Sequence, residues 1–153
     1  MNTREFVNEI TLGGKAKNFR WKLDEVGDLL IERKFKNSSK VEINKIPVDE
    51  LERIINYVES DNWIDLANNV EKLKKGEEKP GIGRFMYDEL GYNETQCQTA
   101  SQLGPVLTNA GIWEYNGKKR NIQFRTNNKE WEKLLQAYYE RHLSKNIYLY
   151  SIF

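Results

Sequence analysis

Apolar and polar residues alternate with a period of two from Asn18 to Asn44, the mark of strands that bury one face. Taking Glu25, Val26 and Gly27 as a three-residue loop, with Gly27 left-handed, sets Leu23 opposite Leu29, Trp21 opposite Ile31 and Phe19 opposite Arg33. A second turn at Asn37-Ser38-Ser39 then pairs Phe35 with Val41, Lys34 with Glu42 and Arg33 with Ile43. In this register the apolar partners of all three strands share a face, on which Arg33 is the one misfit. The opposite face, with Arg20, Lys22, Leu30, Glu32, Lys34, Glu42 and Asn44, reads as solvated. Phe6, Val7 and Ile10 suit either a fourth strand closing through Gly13-Gly14 or a short helix.

After the meander the period lengthens. Pro47, Asp49 and Glu50 make a good helix start, since proline's missing N–H costs nothing there and acids favour the dipole. The stripe Leu51, Ile54, Ile55 and Val58 predicts a helix to about Glu59 that covers the apolar face of the meander. Ile64, Ala67, Val70 and Leu73 predict a second helix over residues 63–74. The run KLKKGEEKPG then breaks the pattern, which places a boundary between a meander-plus-helix lobe (1–75), a linker (76–80) and a second lobe (81–153).

The second lobe opens with a helix over residues 81–90, carrying Ile82, Phe85, Met86 and Leu90 on one stripe and Gly91 at its end. Asn93 with Gln96 three residues on spells a capping box, and the helix that follows carries Cys97, Ala100 and Leu107 before Ala110-Gly111. Gly104-Pro105 predicts a kink or split in it. A hairpin with Gly117-Lys118 at its tip pairs Tyr115 with Arg120 and Trp113 with Ile122, leaving Lys118, Lys119 and Arg120 at the turn. A last helix, capped near Asn127 with Glu130 reaching back, buries Trp131, Leu134, Leu135 and Tyr138.

Helix, tight turn, helix, basic hairpin is the order of the winged helix-turn-helix superfamily, which residues 63–126 resemble. The resemblance is carried by Met86, Leu90, Tyr92, Cys97 and Ala100, by the turn glycine Gly91, and by Leu107 to Ile112 leading into the wing. It implies that the second helix lies in the major groove and that the wing meets the backbone of duplex DNA. Thr95, Gln98, Thr99 and Gln102 would then face bases, Gln suiting adenine edges and Thr either base type, while Lys118, Lys119 and Arg120 would meet phosphates.

Composition bears on these expectations mainly by exclusion. The 24 basic and 23 acidic residues balance to +1, so nucleic-acid binding has to rest on a local patch. One cysteine and one histidine rule out a disulfide framework and leave too few soft ligands for a zinc site. Neither a membrane-spanning run nor a signal-peptide stretch is present in the sequence, and the expected location is cytoplasmic.

Three patterns invite sharper chemistry. Glu32-Arg33-Lys34 has the acid-x-lysine spacing of Mg²⁺-dependent nucleases, with Asp24 as partner acid, but the register puts Glu32 and Lys34 on a solvated face and Asp24 at a turn. Cys97 and His142 could form a thiol and its base, though Cys97 falls on an apolar stripe, where a buried small hydrophobe is the usual role. The tail NIYLYSIF is too apolar to leave in water, and it suits a strand docked on the meander, or a strand or arm exchanged with a second copy in a homodimer. The expected protein is therefore α+β, without a cofactor, and acts as a non-enzymatic DNA-binding regulator. A protein–protein adaptor on the same fold is the alternative, and a Mg²⁺ nuclease a third reading.

Overall fold

The computed structural model describes residues 4–34, 39–127 and 130–152, with side chains through Lys145. Four antiparallel strands come first, β1 (Val7–Ile10), β2 (Asn18–Leu23), β3 (Leu29–Lys34) and β4 (Val41–Ile46), paired in sequence order. Residues 7–10 therefore take the strand of the two alternatives. The β2–β3 register is the expected one, with Trp21 opposite Ile31 and Leu23 opposite Leu29. Gly27 adopts φ +92° at the turn, a conformation that glycine holds without steric cost.

The β3–β4 pairing differs from expectation by one residue. Arg33 lies opposite Glu42, Ile31 opposite Asn44 and Leu29 opposite Ile46. Because side chains alternate between faces, the slip sends Val41 and Ile43 outward, 44% and 53% exposed, and turns Ile46 into the core. Arg33 is the physical reason. Buried on the inner face, its Nη2 donates to Asn44 Oδ1 at 2.9 Å, a partner that the expected register would have turned away. Most of the predicted turn at Asn37-Ser38-Ser39, and the partner position Phe35, lie outside the described residues.

Helix α1 (Val48–Tyr57) follows, with Leu51, Ile54, Ile55 and Val58 buried in the same cluster as Trp21, Leu29 and Ile46. The helix expected over 63–74 is instead a two-residue strand, β5 (Ile64–Asp65), and a short helix, α2 (Val70–Lys75). Ala67 at φ +46° breaks the helical path that the three-residue spacing of apolar positions suggested. Strand β5 pairs with β7 (Gln123–Thr126), which also pairs with β6 (Trp113–Tyr115), giving a three-stranded sheet in the order β5-β7-β6. Elements before and after residues 76–80 thus share a sheet and a single buried cluster.

Helix α3 (Ile82–Glu89) spans the expected segment. The capping box is present, since Asn93 Oδ1 accepts from the Gln96 amide at 2.8 Å and Gln96 Oε1 accepts from the Asn93 amide at 2.8 Å. The helix it starts is split into α4 (Glu94–Cys97) and α5 (Ala100–Asn109), with the break at Gln98-Thr99. Pro105 lies inside α5, so the split falls more than a turn earlier than Gly104-Pro105 suggested.

The hairpin register is also corrected. Tyr115 lies opposite Phe124 and Trp113 opposite Thr126, so the connection is the longer loop 116–122 and not a tight Gly117-Lys118 turn. Asn116 organises it, accepting from the Lys118 amide at 3.2 Å and donating to the Asn121 carbonyl at 2.9 Å. The last helix, α6, runs Trp131–Ile152. Among the described side chains Trp131, Leu135 and Tyr139 are buried, with Leu134 and Tyr138 packed part-buried beside them. The tail therefore continues a helix and is not a strand; Phe153 lies outside the described residues. The fold is α+β. Among the described residues no helix is long and apolar enough to cross a membrane.

Candidate functional site

Where the inner face of the meander meets the α4–α5 break, the two halves of the fold do not close, leaving a cleft of about 750 Å³. Five chain segments line it, within residues 11–19, 33–34, 66–71, 98–102 and 122–124. The β1–β2 loop is pinned by Thr11, whose amide donates to the Lys17 carbonyl at 3.0 Å and whose Oγ1 accepts from the Lys17 amide at 2.8 Å. This holds Lys15 and Lys17 exposed on the rim. The open ends of β2 and β3 supply Phe19, Arg33 and Lys34. Gln98, Ser101 and Gln102 face them from the helical side, above a floor that includes Phe124.

Arg33 ties the two sides together. Its Nη2 also donates to the Thr95 carbonyl at 3.1 Å, joining β3 to α4. Burial lowers the guanidinium's pKa from its ordinary value, opposed by the nearby Glu42 carboxylate. It stays charged at any physiological pH. Gln102 is 9% exposed, and its Oε1 is buried without a hydrogen-bond partner. A buried carboxamide oxygen left in that state costs of order 1–3 kcal/mol, which makes it a notable feature of the wall.

The residues expected to touch DNA divide sharply. Lys118, Lys119 and Arg120 are all exposed in loop 116–122. Lys119 Nζ donates to the Leu12 carbonyl at 3.4 Å, so this loop adjoins the one bearing Lys15 and Lys17. The four polar residues of the helix pair are placed otherwise. Thr99 is 1% exposed, with its hydroxyl donating to the Gln96 carbonyl at 2.5 Å. Gln102 points into the cleft wall, Gln98 lines the cleft, and Thr95 is half-buried beside Arg33. Strand β1 packs against α5, where Asn109 Nδ2 donates to Glu9 Oε2 at 3.2 Å. In this conformation Thr99 and Gln102 do not reach a base edge.

Lys15, Lys17 and Arg33 were not among the expected site residues, although the sequence carried signals for them. Residues 11–18, TLGGKAKN, contain no acid, and Arg33 already stood out on an apolar face.

The other candidate chemistries are engaged elsewhere. Glu32 holds Arg20 through contacts of 2.7 and 2.8 Å, and Asp24 Oδ1 accepts from the Val26 and Asp28 amides at 3.0 and 2.9 Å as a turn former. Among the described residues no three His, Cys, Asp or Glu side chains gather as a metal-holding group. Cys97 is fully buried, its Sγ donates to the Tyr92 carbonyl at 3.8 Å, and burial pushes the thiol up to about 12. His142 sits in a different cluster, against Trp21, Tyr138 and Glu9. A neutral buried thiol without its proposed base is a packing residue.

Comparison with known proteins finds no family model, no curated protein and no solved structure that matches this chain.

Proposed function

We propose that this protein is a non-enzymatic regulator that binds duplex DNA through its phosphate backbone. The observation that carries the reading is a basic edge, in which Lys15 and Lys17 from one loop adjoin Lys118, Lys119 and Arg120 from another through the Lys119 contact to Leu12. Neither residues 11–18 nor residues 115–122 contain an acid, so the local field is positive although the whole chain is near neutral. The element order β5, α2, α3, α4–α5, β6, β7, with β5-β7-β6 as the sheet, supports a winged-helix-like arrangement in which loop 116–122 is the wing. The burial of Thr99 and Gln102 favours backbone contact over base reading, and hence weak sequence preference.

Phosphate contacts release counterions, so affinity for a random duplex should fall steeply with salt, with a log–log slope of about −4 to −5 if all five bases engage. Changing Lys118, Lys119 and Arg120 together to Ala should flatten the slope by roughly 3. No duplex binding by the full-length chain at low salt would remove the proposal. One observation favours an adaptor as the second reading: β4 is an edge strand of the meander and carries the exposed Val41 and Ile43. An edge of that kind suits an added strand from a partner. The absence of duplex binding at low salt would favour it.

A further inference from the structure

The meander has two faces, and they carry different chemistry. Side chains alternate along its strands, so Trp21, Leu29 and Ile31 enter the core while their neighbours point outward. The pairing sets Asn8, Arg20, Glu32 and Ile43 in one row across the outward face. Lys22, Leu30 and Lys45 form the row on one side of it, and Ile10 and Val41 lie on the other. Of the five large apolar side chains exposed among the described residues, three stand on this face: Ile10 and Ile43, each 53% exposed, and Val41 at 44%. A sheet face that carries aliphatic groups is ordinarily buried under a second layer. Charge on it is one-sided. Arg20, Lys22, Lys34 and Lys45 oppose a single acid, Glu32, which Arg20 already holds at 2.7 Å. Lys45 reaches Asp28 at 3.2 Å, whereas Lys22 and Lys34 have no acid partner among the described residues.

We propose that the outward face of the meander docks an acidic amphipathic helix of a partner protein, with its apolar stripe on Ile10, Val41 and Ile43 and its acids toward Lys22 and Lys34. Size and charge select this occupant. Four strands at about 4.8 Å spacing and six residues at about 3.3 Å give a patch of roughly 15 by 20 Å. That is about 300 Å² a side, well short of the roughly 800 Å² per partner of a stable dimer. A second copy would also bring the same cations face to face. One helix, about 10 Å wide and roughly 13 residues long, matches the patch. The aliphatic groups offer no stacking surface to single-stranded nucleic acid, and Phe6, which precedes β1 on this face, already has Lys22 over its ring at 4.8 Å and Arg20 at 5.3 Å. The surface differs from the wing, and it differs from the free edge of β4, where a partner would add a strand beside the sheet instead of a helix across it.

Fluorescence titration of the full-length chain tests the assignment with a labelled helical peptide of about 14 residues, Leu on one face and Glu on its flanks, and with a counterpart that carries Lys for Glu. The Glu peptide is expected to bind with a Kd below about 100 μM, and the Lys peptide at least about tenfold more weakly. Ile10→Asp and Ile43→Asp should each weaken the Glu peptide by about fivefold or more, while Val26→Asp, exposed at the β2–β3 turn, should not. All three positions are exposed, so the variants stay folded. Ile10 lies on β1, three strands from β4, and a strand added along β4 does not reach it. Loss of binding in Ile43→Asp alone would therefore overturn the helix and leave strand addition. Changing Lys118, Lys119 and Arg120 to Ala should leave peptide affinity unchanged, which separates this surface from duplex binding. No binding of the Glu peptide at about 1 mM, or equal binding of both peptides, would overturn the proposal. So would a dimer in light scattering that Ile43→Asp dissociates, or binding to phosphatidylglycerol vesicles that the same change abolishes.

Discussion

At the turn end of β2 and β3, Trp21, Leu23, Leu29 and Ile31 are sealed from water, whereas at the open end the same inward face carries Phe19 and Arg33 beside a cleft. The strands and their pairing are the same at both ends. What differs is the layer above. Over Trp21 the aromatic rings of α6 close down, with Tyr138 stacked at 5.8 Å and Tyr139 at 5.3 Å between centroids. Tyr138 is anchored there by its hydroxyl, which donates to Glu9 Oε1 at 2.6 Å, and Tyr139 by its bond to the Glu5 carbonyl at 2.6 Å. Over Arg33 the α4–α5 break brings backbone carbonyls and carboxamides instead, and these cannot fill the space as rings do. A single inward cation, placed where an aliphatic residue would continue the stripe, therefore marks where packing stops and a cleft begins.

Breaking the dry end should be the costliest change. Trp21→Ala removes a fully buried indole and the rings' common partner, and a loss of about 3–5 kcal/mol in urea unfolding is expected. A loss below about 1 kcal/mol would mean that the α6 rings do not form the seal described here.

Next in size is the boundary between the two ends of the cavity. A Cβ on Gly104 would lie 2.6 Å from Phe124 Cζ, and that ring is fully buried between Trp113 and Tyr115. Because the ring has packed neighbours, Gly104→Ala is expected to destabilise by about 1–3 kcal/mol.

The wet end should respond with the opposite sign. Gln102→Leu removes the unpartnered oxygen while keeping most of the volume, and a gain of up to about 1 kcal/mol in the unliganded protein is expected. Stabilisation on removing it would mark Gln102 as a polar group that the packing does not need. A marked loss of stability would show that Gln102 is a structural group, and would sharpen the contrast with Trp21 into one of degree only.

How far these two ends were legible in the chain follows from their chemistry. The β2–β3 register was readable because Gly27 permits one turn and the apolar positions on both sides agree with it. The β4 register was not, since Val41 and Ile43 look like core residues by composition and yet are displaced outward so that Glu42 and Asn44 can meet the buried Arg33. The Ile64–Leu73 stripe misled for a related reason: apolar spacing alone does not reveal that Ala67 is left-handed or that Gly83 donates to the Leu66 carbonyl at 2.8 Å, contacts set by distant packing. Of the site, Lys118, Lys119 and Arg120 were visible as a basic run, while the helix polar set was assigned by analogy: Gln98 and Gln102 fall on the cleft wall, Thr99 is buried and Thr95 lies beside Arg33. The cleft itself joins residues from 11 to 124, and no local pattern announces it.

The dry end contains one titratable group whose effect can be read by pH. Burial holds the His142 imidazole below its ordinary pKa, with Lys145 and Arg141 adding to the lowering, while the Glu9 carboxylate at 3.7 Å pulls upward. As pH falls the unfolded chain takes up this proton first, so the contribution is intact above the ordinary histidine pKa of about 6.5 and is lost as pH falls toward the depressed folded value. Thermal melts between about pH 7.5 and 5.5 should show a smaller fall in Tm for His142→Gln than for the native chain. Parallel curves would mean that the ring is not held neutral against Trp21. The effect is expected to be modest, because the ring is still 22% exposed.

The smallest effect expected is at Ile43, and it is informative because it is small. In the register that composition favours, Ile43 would face inward against Arg33, and Ile43→Thr would bury a hydroxyl and lose a core contact. In the observed register Ile43 faces outward opposite Glu32 and is 53% exposed, so the same change should alter stability by no more than about 0.5 kcal/mol. Thr also keeps the β-branched shape that suits a strand, which removes backbone preference as a competing cause. A loss of about 1.5 kcal/mol or more would restore the inward register, separate Arg33 from Asn44, and with it dissolve the wet end of the sheet on which the cleft depends.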